Sequence, residues 1–371
     1  MISADVEKNP GGHRHVGQSA AARTSGAVAR AAGIVIALTI AVAIIAIAFA
    51  LPAARSRPHD VPIGTTGPQA ERVAAVLRQS APGAFRITRY ADEASLRAAI
   101  RNRDEYGGLA FGAAGPTLLT ATRASPTVAQ VLTQVGSGVA QRAGMPLHAE
   151  DLAPPTPDDP RGAGLSASVL PITLAGLLPA IALVLLLPRR PWLRSPALLS
   201  FSVLAAGTIT IVLRDVLGSI QQNPAAVAAG LLLGLLGSGL AVLGLGSLFG
   251  RPGLIFGSVL ALLLGNPLCG LTSAPEMLPR GWGAFGQYLP QGATATLLRS
   301  TAFFDGAGAG TAITVLAWWA TGGAILVGIA ALRTQAPRGN HEQKRSPLDV
   351  AGAPAGPRVP ATPADSPTGI A

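Results

Sequence analysis

The chain has 371 residues, of which 49% are hydrophobic and 12% are charged, whereas soluble domains carry roughly 25% charged residues. Its formal net charge is +10, yet the largest basic clusters are the pairs Arg189–Arg190 and Lys344–Arg345, which flank apolar runs. Nucleic-acid-binding proteins concentrate basic charge on one face. Composition and charge therefore exclude a nucleic-acid partner and favour a protein embedded in a lipid bilayer.

Six apolar stretches are long enough to cross about 30 Å of hydrocarbon as helices. They cover residues 31–52, 166–188, 196–213, 224–249, 253–272 and 310–332. The sequence therefore predicts an all-α bundle of six transmembrane helices in a cell membrane. Ala48-Phe49-Ala50 resembles a signal-peptide cleavage site, but the first apolar run, of about 21 residues, exceeds the roughly 7–15 of a signal peptide. We expect an uncleaved anchor.

Basic residues in the short loops predict the orientation, because cytoplasmic loops are enriched in Lys and Arg. One side of the predicted bundle carries Arg30, Arg189, Arg190, Arg194, Arg251, Arg333, Arg338, Lys344 and Arg345; the other carries Arg214, Arg280 and Arg299. Both termini are thus predicted to be cytoplasmic. Residues 1–30 would form an N-terminal tail, and residues 333–371 a disordered C-terminal tail.

Residues 53–165, between the first two predicted spans, are predicted to form an inserted extracytoplasmic α/β domain. Strand-like patterns occur at 85–88, 106–111 and 117–122, and helical apolar spacing occurs around 73–77, 96–100 and 128–139. The predicted order is strand, helix, strand, helix, two strands, helix. The chain's one cysteine, Cys269, cannot form an intramolecular disulfide, so this domain must be held by packing. A proline-rich stretch at 154–160 would connect it stiffly to the membrane.

Sequence motifs of catalysis are missing. A Walker A loop needs Gly-Lys-Ser/Thr, and neither lysine of the chain follows a glycine. Gly281-x-Gly283-x-x-Gly286 matches a dinucleotide-binding pattern, but it follows no predicted strand, so we interpret it as coincidental. The histidines His59 and His148 lack the spacing of metal ligands. We therefore expect no enzyme activity, no cofactor, and no catalytic or metal site.

Two features mark the predicted membrane half. Gly230, Gly234 and Gly237 share one helical face, which serves either packing within the chain, the interpretation we favour, or a dimer interface. Asn266-Pro267 interrupts the fifth predicted span near its outer end, because proline removes a helical hydrogen bond. Residues 273–309 then alternate prolines with short amphipathic pieces, which predicts an interfacial outer segment.

One span, a large outer domain and five further spans resemble the phage infection protein (YhgE/Pip-like) family, which is related to the permeases of type-2 ABC exporters. The resemblance is carried by "GNPLCGLTSAPEMLPRGWGAFGQYLPQGATATLLRSTAFFDG" at 265–306 and by "EDLAPPTPDDPRG" at 150–162. It implies re-entrant outer helices over 273–309, a homodimer, and a separate ATPase subunit. The short loop between the second and third predicted spans departs from this pattern, because it offers an ATPase little surface.

Two functional hypotheses follow. The first is a permease-like component of an export system for apolar or amphipathic substrates, since the predicted spans contain no charged residue. The alternative is a non-transporting, membrane-anchored surface protein whose outer domain binds a partner or an envelope ligand. The candidate outer-rim pathway comprises Asn266, Pro267, Glu276 and Arg299. Glu276 and Arg299 are expected either to pair or, as we favour, to face water.

The predicted orientation has a direct test. A reporter enzyme that is active only in the cytoplasm should be active when fused after Arg345 and inactive when inserted at Gly115, because the loop charges place these positions on opposite sides of the membrane. A periplasmic-type reporter at the same two positions is the matched control and should give the reverse pattern. Cytoplasmic activity at Gly115 would contradict the orientation.

Overall fold

The computed structural model describes residues 14–112 and 115–335. Five of its helices are long and apolar enough to cross a membrane: Val28–Ala54, Ala163–Leu186, Pro191–Val216, Pro224–Phe249 and Gly310–Arg333. The expectation of several apolar spans is thus confirmed, with five such helices in place of the six predicted. Residues 1–13 and 336–371, which belong to the two predicted tails, lie outside the described residues.

A five-stranded sheet lies between the first two of these helices, in what we call the sheet region (residues 55–162). After α1 (Arg14–Ala54) the elements are β1 (Val61–Thr66), α2 (Ala70–Ser80), β2 (Phe85–Arg89), α3 (Glu93–Arg101), β3 (Gly107–Gly112), β4 (Gly115–Thr120), α4 (Pro126–Ala143) and β5 (His148–Asp151). The spatial order is β2-β1-β3-β4-β5. β3 and β4 are antiparallel, and the other neighbours are parallel. The predicted order of elements is confirmed up to α4, and β5 was not predicted.

Capping residues set the helix boundaries in the sheet region. Asp92 accepts a hydrogen bond from the Ser95 amide at 2.7 Å at the start of α3, and Ser125 accepts one from the Val128 amide at 3.3 Å at the start of α4. These side chains satisfy amide groups that have no partner within the helix. Gly144 ends α4 in the left-handed conformation, φ 64°, which glycine adopts without strain.

The apolar part of α1 is exposed, and α1 contacts the π-helical stretch Leu260–Gly265. The bundle is formed by the helices that follow the sheet region. These are α5 (Ala163–Ala167), α6 (Val169–Leu186), α7 (Arg194–Ile211), α8 (Pro224–Phe249), α9 (Arg251–Val259) and α12 (Gly310–Gln335). Residues 266–309, which we call the junction segment, contain α10 (Trp282–Gln287) and α11 (Pro290–Phe303). α8 is the most buried of the five long helices and packs against α6, α7, α9 and α11.

Glycines on α8 let α11 and α12 approach closely. Gly234 faces Thr294, and a Cβ atom at Gly234 would lie 2.4 Å from its Oγ1 atom. Gly230 faces Leu297 on α11 and Gly237 faces Leu316 on α12 in the same way. The prediction that this glycine face packs within the chain is confirmed.

The fifth predicted span, 253–272, is wrong as a continuous helix. α9 continues as a π-helix over Leu260–Gly265, and the two pieces contain 9 and 6 residues. They rise about 22 Å, which is short of the roughly 30 Å of a bilayer core. Pro267 cannot donate a backbone hydrogen bond, so the helix ends before it and the chain continues in turns.

The junction segment completes the core on both faces of the sheet. Ala274 and Met277 pack with Val61, Ile63, Leu109 and Leu118 on the face covered by α2 and α4. On the opposite face, Phe304 packs with Leu96, Ile100 and Leu119 beside α3. The sheet region and the bundle are therefore joined by a shared apolar core, and the sheet region does not complete its core alone.

The Met277 side chain provides a test of this shared core. Met277 is 4% exposed, so Met277→Ala removes buried methylene groups and leaves a cavity, and it should cost about 2–5 kcal/mol. Thermal unfolding of the purified protein in detergent should show a lower melting temperature. Val76→Ala, at an exposed position on α2, is the control and should leave it nearly unchanged. Equal melting temperatures for the two variants would contradict a core shared across the junction.

Candidate ligand pocket between the sheet region and the bundle

Backbone contacts bring the junction segment against the start of the sheet region. The amides of Arg57 and His59 donate to the carbonyls of Met277 and Glu276 at 2.9 and 2.8 Å, and the Ser56 hydroxyl donates to the Met277 carbonyl at 3.0 Å. Residues 275–277 form a short 3₁₀ turn beginning at a proline. This turn is therefore fixed in place, with the Glu276 side chain at its centre.

Tyr106 forms the first side-chain contact across the junction. Its hydroxyl donates to Glu276 Oε2 at 2.8 Å. Burial raises the pKa of Tyr106, and the nearby Glu276 charge raises it further. The phenol therefore stays protonated at neutral pH and acts as a constant donor to the carboxylate.

Arg103 forms the second contact. Its Nη1 donates to the Thr296 carbonyl at 3.2 Å and to the Ser300 hydroxyl, and its guanidinium lies 5.5 Å from the centre of the Phe304 ring. Burial lowers the pKa of Arg103 to about 10, so the side chain is still charged at neutral pH. This cation holds α11 to the edge of the sheet region.

Arg299 is buried on α11, with 3% of its surface exposed. Its Nη2 donates to the carbonyls of Gly270 and Leu271 at 3.1 Å each and of Ser273 at 3.4 Å. The expectation that Arg299 faces water is wrong, because it satisfies carbonyls left free where the fifth helix has ended. The alternative, an ion pair with Glu276, is also not formed: Glu276 accepts from Tyr106 instead.

A cavity of about 730 Å³ lies between the sheet region and the junction segment. Sheet-region residues supply most of its polar lining, and the junction segment and the start of α12 close the other side. Its charged or ionisable lining residues are His59, Asp60, Arg86, Arg103, Asp104, Glu105, Arg280 and Glu276, with Tyr90 and Tyr106 beside them. We call this cavity the polar pocket.

Glu105 is the most buried charged residue of the polar pocket, at 4% exposure. Its Oε1 accepts from the Tyr90 hydroxyl at 3.1 Å, whereas its Oε2 has no hydrogen-bond partner among the described residues. The pKa of Glu105 is raised, chiefly by burial. Burial also raises the pKa of Tyr90 to about 12, and the Glu105 charge adds to this effect, so Tyr90 remains a donor.

A second cavity, of about 790 Å³, adjoins the polar pocket on the surface of α12. We call it the aromatic groove; it is lined by Tyr288, Gly310, Thr311, Thr314, Val315, Trp318 and Trp319. Thr311 lines both cavities. The Trp319 ring N–H donates to the Tyr288 carbonyl at 2.8 Å, which fixes one wall, while Trp318 is 75% exposed. A polar cavity thus opens directly beside an apolar one.

The four predicted site residues separate into two groups. Glu276 lines the polar pocket, whereas Asn266, Pro267 and Arg299 lie outside its lining. Asn266 is buried, and its Oδ1 has no partner among the described residues. His59, Arg103, Glu105 and Tyr106 were not predicted as site residues, although three of them lie in one charged stretch directly before β3.

The glycine pattern at 281–286 has a packing role. A Cβ atom at Gly283 would lie 1.9 Å from the Pro275 carbonyl oxygen, and one at Gly286 would lie 2.1 Å from that of Leu268. These glycines let α10 pack closely against the turns that follow Pro267. Gly283 also lines the polar pocket.

Within the described ranges 14–112 and 115–335, no group of three His, Cys, Asp or Glu side chains is placed to hold a metal ion. The chemistry of the pocket is therefore described by its hydrogen-bonding and charged groups.

Comparison with protein-family models, with curated proteins and with solved structures finds no match to this chain.

The buried position of Arg299 changes what its removal should do. Arg299→Ala leaves the carbonyls of Gly270, Leu271 and Ser273 without their charged donor, and should cost about 2–4 kcal/mol. We expect lower abundance in the membrane and a lower melting temperature in detergent. Arg72→Ala, at an exposed position on α2, is the matched control and should change neither. Wild-type stability of Arg299→Ala would show that these hydrogen bonds are dispensable.

Proposed function

We propose that this chain is a permease-like component of an export system for apolar or amphipathic molecules, with energy supplied by an ATPase on a separate chain. The sequence resemblance over 265–306 supports the proposal, as do five helices long enough to cross a membrane. The chain lacks a Walker A sequence of its own. Export would therefore depend on a partner.

The adjacency of the polar pocket and the aromatic groove carries the proposal. An amphipathic molecule needs a polar site for its head and an apolar surface for its chain, and Thr311 lines both cavities. Both are lined by residues of the junction segment and of the start of α12. A molecule at this position would occupy the boundary between hydrocarbon and water.

The route would follow the surface of the bundle. A cavity inside the bundle, between α6, α8 and α11, measures only about 20 Å³, which is room for one water molecule. The aromatic groove lies on the outer side of α12, where Trp318 is open to the surroundings. A substrate would therefore enter from the lipid and move its head into the polar pocket.

The proposed arrangement places the sheet region outside the cell membrane, with both termini in the cytoplasm. α9, its π-helical extension and the turns up to residue 274 would together form the remaining passage across the membrane. Supporting this, the segment leaves the end of α8 and reaches the sheet region at Met277. A homodimer completes the arrangement that the resemblance implies.

The alternative function is a membrane-anchored surface protein that binds a ligand without moving it. The water-sized cavity inside the bundle favours this alternative, because it offers no passage in the conformation described. In that case the polar pocket would be a receptor site and the helices would serve only as an anchor.

Export can be tested in a strain that lacks this chain. Cells loaded with fluorescent dodecyl amphiphiles should lose them several-fold faster when the wild-type chain is restored. Glu276→Ala removes the acceptor of Tyr106, and Pro267→Ala allows the fifth helix to continue; both should return the rate to that of the deletion strain. Glu71→Ala, on the exposed face of α2, is the control.

Abundance of each variant in the membrane must be measured alongside the rates. Wild-type export rates in Glu276→Ala and Pro267→Ala at normal abundance would show that export does not depend on the junction segment at these positions. Equal rates with and without the wild-type chain would favour the anchored alternative.

A further inference from the structure

Two buried polar atoms at the polar pocket lack partners among the described residues. They are Glu105 Oε2 and His59 Nδ1. Both residues line the same cavity, so a molecule bound there would lie beside both side chains. An ionised carboxylate oxygen can only accept, whereas a neutral imidazole nitrogen either accepts or donates. The ligand must therefore offer at least one donor to Glu105.

The charge around Glu105 indicates which donor fits. Arg103 and Glu276 are engaged across the junction, by α11 and Tyr106 respectively. The remaining charged lining groups are Asp60, Asp104 and Glu105 against Arg86 and Arg280. Carboxylates are thus in excess, and Glu105 forms no ion pair within 4.0 Å among the described residues. Burial raises the pKa of Glu105, whereas the Thr88 and Tyr90 hydroxyls and the Arg86 charge lower it and so favour the ionised carboxylate. Its Oε2 has no hydrogen-bond partner within 3.5 Å among the described residues.

A cationic donor satisfies both conditions. A primary ammonium group carries one positive charge and three N–H donors, and charge-assisted hydrogen bonds to a buried carboxylate are stronger than neutral ones. An anionic head group would bring a like charge to Glu105 and no donor. A quaternary ammonium would bring charge without N–H groups and would leave Oε2 unpaired.

The aromatic groove indicates what is attached to the ammonium. It extends from Gly310 to Trp319 along α12, a rise of about 14 Å. Its Val315, Trp318 and Trp319 side chains offer apolar surface, and Thr311 joins it to the polar pocket. A single hydrocarbon chain can lie in the groove, and the polar pocket that Thr311 also lines includes Glu105 in its lining.

We propose that the polar pocket and the aromatic groove together bind an amphipathic primary amine from the bilayer, with its ammonium on Glu105 and its chain along α12. The inference rests on the proposed function in that it names the head group of the amphipathic substrate. It concerns binding alone, so it can fail or stand independently of export.

The test is equilibrium binding to the full-length protein in phosphatidylcholine nanodiscs, with empty nanodiscs subtracted. Four dodecyl probes differ only in the head group: dodecylamine, dodecyltrimethylammonium, dodecanol and dodecyl sulfate. We expect saturable binding of dodecylamine, at least tenfold tighter than of the other three. Butylamine has the same head without the long chain and should bind at least tenfold more weakly than dodecylamine.

Glu105→Gln keeps the shape and one oxygen acceptor but removes the charge. It should weaken dodecylamine binding at least tenfold and erase the preference over dodecyltrimethylammonium. Glu71→Gln makes the same chemical change on the exposed face of α2 and should bind as the wild type does. The wild-type probe series decides the question even if Glu105→Gln fails to fold.

Equal or tighter binding of dodecyltrimethylammonium or dodecyl sulfate would overturn the proposal, as would a lack of saturable binding by dodecylamine. An equal loss in Glu71→Gln and Glu105→Gln would overturn the assignment to the pocket. Dodecylamine binding without export in cells would retain the inference and reject the exporter. Export in cells without preferential binding of dodecylamine would retain the exporter and reject the inference about the amine.

Discussion

The shared apolar core at the junction is the constraint on which the rest of the structure depends. Ala274 and Met277 complete one face of the sheet, and Phe304 completes the other, while α11 lies buried against α8. One stretch of chain thus contributes to the cores of both parts. The polar pocket lies beside this shared core, between the sheet region and the junction segment. Its polar lining consists of side chains that the core does not cover.

Arg299 and the break at Asn266-Pro267 depend on each other. A buried guanidinium is costly unless its N–H groups find acceptors, and a buried non-helical segment is costly unless its carbonyls find donors. The chain that follows the helix end at Gly265 is not helical, and Arg299 on α11 donates to three of its carbonyls, those of Gly270, Leu271 and Ser273. Each feature would be unfavourable alone, and together they allow irregular chain at the end of an apolar bundle.

Periodicity in the sequence predicted the order of strands and helices up to α4, but not β5 or the early end of the fifth helix. The alternation at 85–88 and the apolar spacing at 128–139 identified β2 and α4, and the glycine face of α8 indicated close packing. β5 was not predicted because His148–Asp151 is a short polar edge strand without an apolar face. The burial of Arg299 and the assembly of the polar pocket could not be predicted, because His59, Glu105 and Glu276 are distant in the chain and meet only through tertiary packing. A charged residue in an amphipathic stretch gives no sign of whether its partners will be water or buried carbonyls.

The polar pocket has one wall from each part of the molecule, and this has a thermodynamic consequence. A molecule held between Glu105 and the start of α12 would touch both parts at once, so its binding energy would add to that of the shared core. By linkage, any rearrangement that moves the sheet region away from the junction segment must also lower the affinity for that molecule. Conversely, dissociation of the molecule must lower the free-energy cost of the rearrangement. A bound molecule would thus stabilise the contact between the two parts. Whether the pocket is occupied would affect α8 through α11, which packs against it.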